Sequence, residues 1–227
     1  MRTVLTNVLE TLEGRRLLTA ALVDGVLTVN GTAGNDVLTL AQTADGKVKV
    51  VTGEKKKAVT QTFDAALVTK VVIAAGRGND RVTAATLKMP MSVNAGDGND
   101  RVEAGMAADV VLGGAGNDTL LGAAGNDTLN GEAGNDALDG GTGDDNLLGG
   151  LGLDRLIGGL GKNRLFGNAG QDVYVDKKPK DIWDYLKRED TATTDDKTKA
   201  TKAEAETEVH GGKKGASVKA AVTVSKK

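Results

Sequence analysis

The chain has 227 residues, among them 32 glycines, one tryptophan, two tyrosines, two phenylalanines and no cysteine, with a formal net charge of -2. So few large apolar rings are poor material for a conventional globular core. Zero cysteines exclude disulfides and thiolate metal sites, and the lack of an 18-residue apolar run excludes a membrane-spanning helix. Charge is unevenly placed: residues 1–175 carry 21 acids against 16 bases, and residues 176–227 carry 10 against 13. An acidic body argues against nucleic acid as its partner.

Residues 1–21 read as a targeting-like segment without a usual secretory signal, because Glu10, Glu13, Arg15 and Arg16 interrupt any long apolar region. Leu12 to Ala20, LEGRRLLTA, resembles the N-terminal LEPR-XLL segment of large bacterial surface or secreted proteins, with Gly14 where that pattern has proline. Val4, Leu5, Val8, Leu9 and Leu12 fit a short amphipathic helix equally well.

Residues 22–94 carry short β-type runs at Val26 to Val29, Val37 to Leu40, Lys47 to Val51, Val59 to Phe63, Val68 to Ala74, Arg81 to Thr83 and Met91 to Asn94. Asp45-Gly46 predicts a hairpin turn. Ala33-Gly34-Asn35-Asp36, Gly78-Asn79-Asp80 and Gly98-Asn99-Asp100 spell a turn that recurs later, so this region is expected to form irregular solenoid coils.

Residues 95–175 are nine nonapeptides without a gap, the last seven being GGAGNDTLL, GAAGNDTLN, GEAGNDALD, GGTGDDNLL, GGLGLDRLI, GGLGKNRLF and GNAGQDVYV. In those seven, glycine holds the first and fourth places, aspartate the sixth in all but one, and a large apolar residue the eighth. The register stops at Asp176-Lys177-Lys178-Pro179. Residues 176–188 include DIWDYLKR, predicted to be a short capping helix, and residues 189–227 have the composition of a disordered charged tail.

Nine residues divide into a six-residue turn and a three-residue strand, whose middle side chain alone faces inward. Leu120, Leu129, Leu138, Leu147, Leu156, Leu165 and Tyr174 are those residues. One such strand cannot bury its face, so the units must stack as two facing parallel sheets, two units and 18 residues per coil. Glycine supplies the positive φ of the turns, and Asn99, Asn117, Asn126 and Asn135 are expected to tolerate it.

Stacking at about 4.8 Å places Asp100, Asp118, Asp136, Asp154 and Asp172 along one edge, and Asp109, Asp127, Asp145 and Asn163 along the other. Adjacent carboxylates at that spacing repel by about 3 kcal/mol at an effective dielectric near 20. A hard divalent cation between turns removes the repulsion, taking oxygens from two aspartates and from turn carbonyls. All-oxygen, adaptable coordination favours Ca²⁺ over Mg²⁺, and a chain with one histidine and no cysteine disfavours zinc and copper.

The GGxGxDxUx pattern resembles that of the hemolysin-type, or repeats-in-toxin, calcium-binding family. The resemblance implies an all-β fold, a right-handed parallel β-roll or β-solenoid, on a protein secreted by a bacterium or held at its surface. It implies several Ca²⁺ ions, with Asp80, Asp100, Asp109, Asp118, Asp127, Asp136, Asp145, Asp154 and Asp172 as carboxylate ligands. Turn ligands would come from Gly114, Gly116, Gly125, Gly134, Gly141, Gly143, Gly150 and Gly152. Asn163, Leu153 and Lys162 depart from the pattern, and the site between Asp145 and Asn163 is expected to be weak.

Enzyme motifs are missing from this reading. The single histidine, His210, lies in the tail, so neither a two-histidine zinc motif nor a body-based Ser-His-Asp triad can form. Ser92, Ser217 and Ser225 sit in no nucleophile elbow. The chain therefore reads as a non-enzymatic calcium-folded structural or adhesion module, with surface polysaccharide or another extracellular protein as its partner. The alternative is a calcium-dependent carbohydrate-binding or polysaccharide-modifying protein. Leu148, Ile157 and Phe166 are expected to form one outward apolar stripe covered by Trp183, Tyr185 and Leu186.

Overall fold

The computed structural model describes residues 19–53 and 58–175. The N-terminal segment up to residue 18, the helix expected within 176–188 and the tail lie outside the described residues. In chain order the strands are β1 (Thr19–Val23), β2 (Val26–Asn30), β3 (Val37–Gln42), β4 (Lys47–Thr52), β5 (Val59–Asp64), β6 (Lys70–Arg77), β7 (Arg81–Thr83) and β8 (Met91–Asp97). They continue as β9 (Arg101–Glu103), β10 (Val110–Ala115), β11 (Thr119–Leu121), β12 (Thr128–Ala133), β13 (Ala137–Asp139), β14 (Asn146–Leu151), β15 (Arg155–Ile157), β16 (Arg164–Ala169) and β17 (Val173–Val175). A single turn of 3-10 helix, Ala65–Leu67, links β5 to β6.

The strands form two sheets, β1-β2-β6-β8-β10-β12-β14-β16 and β17-β15-β13-β11-β9-β7-β3-β4-β5. Alternation of the chain between them makes a solenoid. In the first sheet Val93, Val111, Leu129, Leu147 and Leu165 lie in register, one 18-residue coil apart. In the second, Val102, Leu120, Leu138, Leu156 and Tyr174 do the same. All pairs between these strands are parallel, as stacked units require.

Upstream the coil lengthens. Ile73 pairs with Val93 and Val82 with Val102, 20 residues apart. Val29 pairs with Ile73 and Leu38 with Val82, 44 residues apart. The longest coil holds the antiparallel arm β3-β4-β5, turned at Thr43 to Gly46 as Asp45-Gly46 predicts. On the first sheet β1 folds antiparallel onto β2 through Asp24-Gly25.

Between the sheets runs a thin double column of aliphatic side chains. Leu120, Leu129, Leu147, Leu156 and Leu165 are 0 % exposed and Leu138 1 %, each contributing roughly 1.5–3 kcal/mol by leaving water. Tyr174, the last of its column among the described residues, is partly buried, and its hydroxyl accepts the Gly167 N–H at 2.8 Å. The expected apolar stripe does not form on one face. Leu148 and Phe166 are paired neighbours in the first sheet, whereas Ile157 belongs to the second, because successive ninth positions fall on opposite sheets. The guanidinium of Arg164 lies 5.4 Å over the Phe166 ring.

Candidate metal centre

Each edge of the solenoid carries a ladder of sixth-position side chains. On the first edge the backbone N–H of Asp36 donates to Asp80 Oδ1, Asp80 to Asp100, Asp100 to Asp118, Asp118 to Asp136, Asp136 to Asp154 and Asp154 to Asp172, at 2.6–2.9 Å. On the second, Met91 donates to Asp109, Asp109 to Asp127, Asp127 to Asp145 and Asp145 to Asn163, at 2.8–2.9 Å. The expected division of these residues between two edges is therefore the one observed. Asp36 also belongs to the first ladder. The sequence signal that finds it is the Ala33-Gly34-Asn35-Asp36 turn, displaced from the nonapeptide register by the long coil.

One oxygen of each carboxylate thus has a donor. The other, Oδ2, is buried and has no hydrogen-bond partner at Asp80, Asp100, Asp118, Asp127, Asp136, Asp145 and Asp154. These side chains belong to residues only 1–3 % exposed, where an unsatisfied anionic oxygen is costly. Burial accordingly raises the carboxyl pKa values, to about 7 at Asp80, Asp118 and Asp127 and to about 6 at Asp154, with neighbouring carboxylates adding to the rise. Asp100, Asp109, Asp136 and Asp145 shift the same way, again through burial.

Two aspartates at the start of the ladders differ. Asp36 Oδ2 accepts the Thr32 N–H at 2.6 Å, and Asp109 Oδ2 accepts the Gly105 N–H at 2.8 Å. Protein donors satisfy both oxygens there. At Asn163 the ladder continues through Oδ1, but the buried Nδ2 is a donor with no acceptor. The substitution keeps the backbone bond and replaces an anionic oxygen with a group that repels a cation.

Glycine serves three purposes in the turns. At the first position a Cβ on Gly113 would sit 2.4 Å from Asp118 Oδ2, so glycine makes room for the carboxylate. At the second, Gly114 has φ +112 and a Cβ would lie 2.0 Å from the Gly96 carbonyl oxygen of the preceding coil. At the fourth, Gly116 has φ +128 and the same closeness to the Gly98 carbonyl. Carbonyls of Gly98, Gly116, Gly134 and Gly152 on one edge, and of Gly125 and Gly143 on the other, accept no hydrogen bond among the described residues.

The asparagines do not have the positive φ expected of them. The non-glycine residues with that conformation are Asp24, Ala123, Glu132 and Asn168, the last three in second positions where most units have glycine. Asn79, Asn99 and Asn117 instead accept the fifth-position N–H of the following coil, from Asn99, Asn117 and Asn135 at 2.7–2.8 Å. Leu153 and Lys162 fit because the fifth-position side chain is exposed, and their N–H groups still donate, to Asn135 and Asp144. The asparagine ladder thus points along the chain and the aspartate ladder against it.

No three histidine, aspartate or glutamate side chains converge on one point among the described residues. A cation at these edges must therefore draw on backbone carbonyls as well as on paired aspartates. Anionic oxygens, carbonyl oxygens and no nitrogen or sulfur make a donor set that fits a hard divalent ion.

A two-sheet solenoid of glycine-rich nonapeptides with buried carboxylates along both edges defines the class, a metal-binding β-roll. Four copies of the RTX calcium-binding nonapeptide repeat match the chain, at residues 28–44, 92–120, 112–147 and 139–174. Those matched stretches of the body are built of that calcium-binding nonapeptide repeat. No curated protein and no solved structure matches the chain. No helix among the described residues is long and apolar enough to cross a membrane.

Proposed function

We propose that the chain is an extracellular structural or adhesion module that calcium folds. Its ions would be held between successive coils by Asp80, Asp100, Asp118, Asp136, Asp154 and Asp172 on one edge and by Asp109, Asp127 and Asp145 on the other. Carbonyls of the turns containing Gly114, Gly116, Gly125, Gly134, Gly141, Gly143, Gly150 and Gly152 would complete the coordination. The observation that carries this reading is the row of seven buried Oδ2 atoms without a donor. Calcium in such sites neutralises what burial and mutual repulsion oppose. Because each site joins two coils, binding energy becomes folding energy.

Extracellular calcium modules typically bind at about 10⁻⁴–10⁻³ M, so the roll would assemble outside a cell and stay open inside one. Native mass spectrometry tests the ligand assignment. The full chain should retain several calcium ions, and Asp127→Asn should retain fewer. Equal counts would remove Asp127 from the ligand set.

A second reading, calcium-dependent carbohydrate binding, is favoured by an open cleft on the outer face of the second sheet. Glu103, Leu121, Ala123, Asp139 and Gly141 line it, with the two carboxylate residues on either side of Leu121. Glycan screening of the calcium-loaded chain against its Glu103→Gln variant tests this. Binding that ignores the substitution would exclude the cleft.

A further inference from the structure

The outer faces of the two sheets differ in charge. The second sheet turns Arg81, Arg101, Glu103, Asp139 and Arg155 outward in two rows of paired positions. In the corresponding rows of the first sheet no charged side chain stands between β2 and β14. There β2 presents Thr28 and Asn30, β8 presents Ser92 and Asn94, and β12 presents Thr128 and Asn130. Between them β6 presents Val72 and Ala74, and β10 presents Val110 and Leu112, in register with their neighbours. Hydrogen-bonding strands therefore alternate with apolar ones across five neighbouring strands, until Asn146 and Leu148 mix the two kinds on β14. The charged residues of these strands lie outside both rows. Lys70 begins β6, Glu132 lies in a turn, and Arg77 and Asp97 pair with each other at 3.3 Å.

This alternation serves no contact inside the roll. Strands stack at about 4.8 Å, so like bands recur only every 10 Å or so. Leu112 separates Asn94 from Asn130, and no side-chain ladder of the fifth-position kind can form. The side chains of Ser92, Asn94 and Thr128 have no hydrogen-bond partner among the described residues, and Asn130 uses only its Oδ1, on the Glu132 N–H at 3.2 Å. The polar bands thus hold donors and acceptors without charge. An anionic polymer would meet no cation on this face. The face from β2 to β14 measures about 30 Å by 10 Å. Two copies packed on it would bury about 600 Å², below the roughly 1,200 Å² of a stable interface, so a second copy is the poorer occupant.

We propose that the outer face of the first sheet binds an uncharged, extended polysaccharide lying along the axis of the roll. In a two-fold glycan ribbon each sugar presents to the face what the next one turns away, so the pattern repeats with every disaccharide, whose length is close to two coils. The Ser92-Asn94 and Thr128-Asn130 bands exchange hydrogen bonds with sugar hydroxyls. Val72-Ala74 and Val110-Leu112 cover the C–H surface of the sugars between them. The inference rests on the adhesion reading above and adds to it the ligand class and the face, which is the sheet opposite the cleft of Glu103 and Asp139.

Affinity electrophoresis of the calcium-loaded full chain tests this. Gels containing hydroxyethyl cellulose or glycol chitin, both neutral two-fold ribbons, should slow the protein several-fold. Carboxymethyl cellulose, the same backbone bearing carboxylates, should not. Val110→Glu, at a position 43 % exposed, and Asn94→Ala should each remove most of the retardation, while Glu103→Gln in the opposite cleft should leave it. Circular dichroism in calcium checks that each variant keeps the roll. Normal mobility in both neutral gels, or equal retardation by carboxymethyl cellulose, would overturn the proposal. So would retardation that survives both first-sheet substitutions, or that Glu103→Gln alone removes, which would move the glycan to the cleft. A dimer that sediments without glycan and is dispersed by Val110→Glu would make a second copy the occupant and overturn it too. Binding that persists in chelator would support this face and count against calcium-driven folding, so the two readings fail separately.

Discussion

The carboxylate of Asp118 is divided between two tasks: its Oδ1 accepts the Asp100 N–H at 2.8 Å, and its Oδ2 is buried with no donor. The first oxygen closes the backbone between coils and the second is left for an ion. Substitutions can separate the two. Asp118→Asn should keep the ladder, as Asn163 does, and lose part of the calcium-dependent stability. For a site at tenfold its dissociation constant that loss is about 1.4 kcal/mol. Asp118→Ala should also lose the hydrogen bond, leaving the buried Asp100 N–H unpaired at a further cost of about 1–3 kcal/mol. Urea unfolding in calcium and in chelator resolves the two contributions. Identical behaviour of the two variants would refute the division.

The complementary change is Asn163→Asp. It replaces the unpartnered Nδ2 with an anionic oxygen and makes the second edge continuous from Asp109. Native mass spectrometry should show about one more calcium ion per chain, and the melting temperature should respond more steeply to calcium. An unchanged count would mean that the second edge does not use this position.

Without calcium, stability should depend on pH in an unusual direction. Burial raises the folded-state pKa of Asp80, Asp118 and Asp127 to about 7 and of Asp154 to about 6, against a value near 3.9 in the unfolded chain. Between those limits the folded state binds more protons, so stability falls as pH rises. Chelator-treated protein should hold more β-structure at pH 5 than at pH 8, and calcium binding near neutral pH should release protons. Far-UV circular dichroism across that range, and calorimetry in buffers of different ionisation enthalpy, measure the two effects. Greater β-content at pH 8 in chelator would contradict the burial argument.

The second turn position stores backbone strain. Ala123 and Glu132 hold φ +69 and +73, a region that costs a residue with a side chain roughly 1–2 kcal/mol. Glycine there relieves the strain but adds entropy to the unfolded chain. Ala123→Gly and Glu132→Gly should therefore leave the calcium-loaded melting temperature unchanged or raise it slightly. Gly114→Ala, whose Cβ would meet the Gly96 carbonyl at 2.0 Å, should lower it clearly.

The period, the inward leucines and the division of aspartates between two edges were legible because a nine-residue repeat with one apolar site permits little else. Less legible were features that repetition hides. The turn composition suggests positive φ at Asn117, but its role is to accept the Asn135 N–H, a contact between coils that no local pattern announces. Asp36 lay 44 residues from its ladder partner because the arm β3-β4-β5 interrupts the coil. Leu148 and Ile157 share a position in the unit but lie in different sheets, because successive units face opposite ways. Asn117→Ala should accordingly cost about 1 kcal/mol and Asn117→Gly no less, since no unusual φ is at stake. A neutral Asn117→Gly would restore the conformational reading.

The central claim is that calcium at the paired aspartates makes the roll stable. Far-UV circular dichroism of the full chain at pH 8, first in chelator and then through a calcium titration to millimolar concentration, tests it most directly. The account predicts little β-signal in chelator and a cooperative gain as calcium is added. The same β-signal in chelator as in millimolar calcium would contradict it.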